Sequence, residues 1–157
     1  MAVYSGAAGI KQLREKLQQK SKMLIGESAL KVATTLVDNS PVGAEFYTSK
    51  QGEIQNDAGD YKNSWSVGYG TPNPTVRAAD TSGAGAVADA IVKSKQYNFQ
   101  GAAYVTNSIP HAPMVEEGWA DNPVYGWKAK DGYHVVRNNI GIAQAILELT
   151  ALKVSQL

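Results

Sequence analysis

The stretch "AYVTNSIPHAPMVEEGW", residues 103–119, decides the fold. It begins as a strand, with Ala103 and Val105 on one face and Tyr104 and Thr106 on the other. Pro110 and Pro113 end that strand, because proline has no N–H to give a ladder. Val115 to Trp119 then turn back toward a core or a neighbour. The turn also brings His111 near two adjacent glutamates, Glu116 and Glu117. Chemistry therefore has to be weighed here alongside architecture.

Upstream, "NSWSVGYG", residues 63–70, places Trp65, Val67 and Tyr69 on one face, which predicts a second, half-buried strand. "TPNPTV" after it is a Pro-rich turn, and "SGAGAVADAIVKSK" predicts a short helix or an irregular Ala-rich connector. The N-terminal third carries Ile10, Leu13, Leu17 and Leu24 at helical spacing. Ala29, Val32, Ala33, Leu36 and Val37 continue an apolar face. One long helix is expected there, with Ser5 in the N-cap region and Pro41 as the stop. Its stripe shifts near Gly26, which marks a kink or a close contact, so this helix serves two surfaces. Residues 138–154 predict a last helix whose stripe is Ile142, Ala145, Ile146, Leu149 and Leu152, widened by Ala143, Leu147 and Val154. Residues 43–62, "GAEFYTSKQGEIQNDAGDYK", lack periodicity and read as a hairpin or a disordered loop. The expected fold is α+β: a long N-terminal helix and a C-terminal helix packed on a small, mainly antiparallel sheet, with an inserted arm.

A chain of 157 residues suits a single domain spanning 1–157. No run of about 18 apolar residues is present, so no membrane span is expected. The first nine residues lack the basic start and apolar run of a secretory signal. A net charge of +1 argues against a strongly basic nucleic-acid binder. The absence of cysteine removes disulfides, thiolate nucleophiles and Cys-based metal sites.

His111 with Glu116 and Glu117 is the only cluster that invites catalysis. A metal centre needs three or four ligands, and the one other histidine is His134, at no metal-pair spacing. No Gly-x-Ser-x-Gly elbow is present, and adjacent glutamates point in different directions from a helix or strand. "SGAGAVAD" lacks the Gly-Lys-Ser/Thr ending of a phosphate loop. A small hydrolase or metal-dependent enzyme using His111 and Glu116 or Glu117 stays as the alternative function. Lys11, Arg14, Lys16, Lys20, Lys22 and Lys31 charge the first helix, with Glu15 and Glu27 interleaved. They form a solvated face, or a contact for phosphates or an acidic neighbour.

Four phrases, in order, resemble the neck and tail-completion family of tailed bacteriophages, the group of minor tail protein Z and related tail components. They are "VDNSPV" (37–42), "DAGDYKNSWSVGYG" (57–70), "VTNSIPHAPMVEEGW" (105–119) and "AKDGYHVVRNNIGIAQAILEL" (129–149). The family joins Ser-Pro-Val directly to Asp-Thr-Gly. Here about fifteen residues, Gly43 to Asn56, intervene as an arm, and Asp57 and Gly59 keep the joint.

The resemblance implies a structural subunit of the head–tail junction, without catalysis or cofactor, in the virion after synthesis in the bacterial host's cytoplasm. It implies a homo-oligomeric ring, of six copies by analogy with the tail or of twelve on the portal side. Neighbouring neck, connector and tail proteins would be its partners, and DNA would pass through the lumen without specific binding. A ring subunit needs two unlike surfaces that meet head to tail. Glu116, Glu117, Trp119, Tyr125, Trp127, Phe46 and Tyr47 are the interface candidates, aromatic side chains near turns being natural anchors. Tyr133 joins them as an aromatic that packs on a neighbour or inside. The arm would face the lumen or the next ring.

Overall fold

Helix-forming Lys, Gln, Glu, Leu and Ala dominate the first third of the chain, and they build a single unbroken helix, α1 (Gly6–Asp38). Its 33 residues span about 50 Å. The computed structural model describes residues 6–42, 58–98, 101–121 and 130–157. Ser5 and the arm 43–56 lie outside the described residues.

After α1 come α2 (Asp60–Asn63), β1 (Trp65–Tyr69), α3 (Ala84–Ser94), β2 (Ala103–Asn107), α4 (Ala112–Glu117), β3 (Gly118–Trp119), β4 (Lys130–Asp131) and α5 (Val135–Ser155). β1 pairs antiparallel with β2, Val67 opposite Val105, and β3 pairs antiparallel with β4. The architecture is the expected α+β, with α1 as the hub. The Ala-rich segment resolves as a true helix, α3, and the turn after β2 contains a helical turn and a half, α4.

Gly26 is a point of close contact. A Cβ there would overlap the carbonyl oxygen of Ser94, so glycine lets α3 lie directly on α1. At the far end of α3, a Cβ on Gly83 would meet Val37. The two helices therefore run antiparallel. Ala29 and Ala33 of α1, Ala90 of α3 and Val67 of β1 fill the space between them. A second cluster joins Leu36 and Val37 to Tyr61, Trp65, Ile109, Val115 and Val135, and the Trp65 indole N–H donates to Ser40 Oγ at 2.8 Å. Tyr133 packs against this cluster, so it serves its own domain.

Two expectations are corrected. β1 is buried on both faces, because the Pro-rich segment folds back across it. Ser66 Oγ donates to the Asn73 carbonyl at 2.8 Å, and Arg77 reaches the carbonyls of Asn63 and Trp65 while pairing with Asp89 of α3 at 3.1 Å. The second correction concerns α5. Its contact face is Val135, Asn139, Thr150 and Val154, with Ala143 and Ile146 partly covered. The expected stripe is turned outward: Ile142, Leu149 and Leu152 are exposed, Leu149 to 66% and Leu152 to 61%. Polar pairs explain the rotation. Asn39 donates to Asn139 at 2.7 Å, Lys31 to Thr150 at 3.4 Å, and Lys153 meets Glu27 at 3.1 Å. This order also makes α5 antiparallel to α1.

Candidate functional site

The strand-and-turn that decides the fold ends in a joint between α2, α4 and α5. Pro113 sits in the first turn of α4, where its missing N–H costs nothing. Gly118 ends α4 with φ +83°. A Cβ there would strike the Lys130 carbonyl, so only glycine allows β3 to close on β4. Between these ends, Val115 points into the core and the two glutamates diverge.

Glu116 faces inward. Its carboxylate accepts the Tyr61 hydroxyl and the Val136 N–H, the latter at 3.1 Å to Oε2 and 3.3 Å to Oε1. A carboxylate at the first turn of α5 satisfies an orphan donor and complements the helix dipole. Burial, then the hydrogen bond to Glu116 and its negative charge, push the Tyr61 phenol far above its ordinary value, so it stays a protonated donor. The Tyr61 carbonyl in turn accepts from Asn107 Nδ2 at 2.7 Å, which ties the joint to the end of β2.

Glu117 faces outward and meets Arg137 at 3.4 Å, with both groups mostly in solvent. Such a pair contributes about 0–1 kcal/mol. His111 turns to a residue 51 positions upstream: its Nε2 lies 3.3 Å from Asp60 Oδ2. The imidazole and the two glutamates that adjoin in sequence thus serve three different partners. His134 precedes α5 with a left-handed backbone, φ 49°, and its Nε2 lies 3.5 Å from Asp131. Among the described residues, no three His, Asp or Glu side chains gather as a metal-binding group. The geometry makes Glu116 a fastener for three helices.

Of the interface candidates, Glu117 is at the surface, Glu116 is half-buried and bonded within its own chain, and Trp119 contributes its backbone to β3. Phe46, Tyr47, Tyr125 and Trp127 lie outside the described residues.

The structure adds surfaces that the aromatic residues did not signal. Ile10, Leu13 and Leu17 of α1 are exposed, Ile10 to 67% and Leu17 to 54%. A groove of about 170 Å³ runs between α1, β2 and α5, lined by Val32, Leu36, Val105, Val136, Ile140 and Ile146, with Thr35, Asn139 and Ala143. The available signal was the composition of α5. A helix apolar around most of its circumference has more faces than one contact with α1 covers. The chain matches none of the protein-family models, curated proteins or solved structures with which it was compared.

Proposed function

We propose that the chain is a structural subunit of a phage head–tail junction, a neck, tail-completion or tail-terminator ring around the DNA passage. The observation that carries this reading is the amount of apolar helix surface left uncovered on the lone chain, on α1 and α5 alike. Contiguous exposed apolar surface marks an interaction site. Here it lies on two differently built elements, which is what a head-to-tail contact requires. The ordered resemblance of 37–42, 57–70, 105–119 and 129–149 to the neck family supplies the identity of the assembly. The net charge of +1 suits a lumen that lets DNA pass, since many phosphate contacts would hold it. Ring partners are copies of the chain, six or twelve, and the neck, connector and tail proteins above and below. The engagement of His111 by Asp60 and of Glu116 by Tyr61 and α5 weighs against the enzymatic alternative.

The test is electron microscopy of the neck of virions carrying the chain, reconstructed without imposed symmetry. The expected result is a closed ring into which this fold fits. Purified virions that lack the chain would end the reading.

A further inference from the structure

The two halves of α1 are apolar on different sides. At 3.6 residues per turn, Ile10, Leu13 and Leu17 lie roughly 150° around the axis from Ala29 and Ala33, which face α3 and the sheet. They lie instead in line with Lys31 and Thr35, the side on which α5 sits. α5 runs antiparallel from Asn139 beside Asn39 to Lys153 beside Glu27, and ends there. The exposed ridge is therefore an empty continuation of the α5 seat.

On the same chain, the sheet-side flank of α5 is itself unfilled. Val136 and Ile140 are exposed at the groove they share with Val105 and Leu36. From Val136 to Ile146 the groove follows α5 for about 15 Å, and the ridge from Ile10 to Leu17 is about 10 Å long. Residues at i, i+3 and i+7 are the anchors by which a helix seats in an apolar groove.

Charge disfavours the pairing of like ridges. Five cations, Lys11, Arg14, Lys16, Lys20 and Lys22, stand against Glu15 on this half of α1, a surplus of four. The chain as a whole is +1, so everything after Lys22 carries a deficit of three. Two such helix halves laid together repel, whereas a helix half and the rest of a second copy carry opposite net charge.

We infer that the N-terminal half of α1 docks into the α1–β2–α5 groove of the next copy, Leu13 over Ile140, so that each copy receives one helix and donates one. This inference rests on the ring reading proposed above, and it names the contact that propagates the ring. Ridge and groove are different patches, so the contact is heterologous and repeats until it closes.

The chain has no cysteine, which makes a cross-linking test direct. Leu13→Cys and Ile140→Cys are combined in the full chain, assembled, and oxidised mildly. The expected product on a non-reducing gel is a ladder of covalent multimers ending at the ring order. Mixing the two single-cysteine chains gives dimers only, and each alone gives none. Adding Leu17→Asp, an exposed position whose change leaves the fold intact by circular dichroism, abolishes the ladder.

Dimers from Leu13→Cys alone would place α1 against α1 and overturn the inference. So would duplex DNA bound through Lys16 and Lys20, with Lys16→Glu and Lys20→Glu releasing it and no ladder forming. Assembled rings that give no ladder remove this contact and leave the ring reading standing. A chain that stays monomeric in every setting and is absent from particles removes both.

Discussion

α3 and α5 both lie antiparallel along α1, and they are held there by opposite means. α3 is 11 residues long and packs through alanines, with Gly26 letting the backbones close up. Its first N–H, from Ala84, is met by Asp80 only four residues upstream. α5 is 21 residues long, its buried face carries Asn139 and Thr150, and its first turn is met by Glu116, twenty residues upstream on another element. α3 completes the core by shape. α5 is positioned by hydrogen bonds, which leaves its apolar side chains available to something else.

Crowding the α3 contact should have the largest effect. Ala90→Leu adds three carbons to a site with no room, and it should cost about 3 kcal/mol, read as a lower urea midpoint. An unchanged midpoint would mean that α3 can shift on α1 to make room, and that the alanine contact is not tightly packed.

The remote fastener comes next. Glu116→Ala leaves the buried Tyr61 hydroxyl and the Val136 N–H without their acceptor, for a loss of about 2 kcal/mol in the same assay. Tyr61→Phe removes only the donor and should cost less. If the two variants matched, the contact with α5 would contribute nothing.

Asp80 offers a smaller and pH-selective contrast. Its carboxyl is held below the usual carboxylate value, chiefly by the Ser82 hydroxyl, then by the backbone N–H groups of Ser82, Ala84 and Gly85. A lowered folded-state value stabilises the fold above the ordinary carboxyl range, and the gain disappears as pH falls through the folded value. Asp80→Ala should therefore lower the melting temperature at neutral pH and converge on the parent in acid. A constant difference at all pH values would rule out the carboxylate as the cause.

The smallest effect on the lone chain is expected at the exposed side of α5. Leu149→Asp should change stability by no more than about 0.5 kcal/mol. If the ring reading proposed above holds and this face is used in assembly, particle yield should still fall. A large loss of stability in the isolated chain would show that this face packs internally.

What the sequence made legible follows from the same contrast. Features set by neighbours in sequence could be read: the long helix and its change of face, the two strands, the stop at Pro110 and the divergence of Glu116 from Glu117. Features set by distant partners could not. Trp65, Val67 and Tyr69 alternate like a half-buried strand, and nothing near them shows that residues 71–79 cover the other face. Leu149 and Leu152 outrank Asn139 and Thr150 in hydrophobicity, yet Asn39 and Lys31, 100 and 119 positions away from their partners, decide which side of α5 turns inward. His111 looks paired with Glu116 until Asp60 is folded against it. The apolar ridge of α1 was visible, and its exposure, with no partner among the described residues, was not.

The hub position of α1 has a consequence for synthesis. α1 is complete at Asp38, but α5 does not begin until Val135, ninety-seven residues later. At about 5–20 residues per second, the ribosome leaves α1 without its last neighbour for roughly 5–20 s. During that interval the side of α1 that α5 will cover, with Val32 and Leu36 along its edge, stands open together with the ridge of Ile10, Leu13 and Leu17. Synthesis must pass α5 before the inner part of that side is covered.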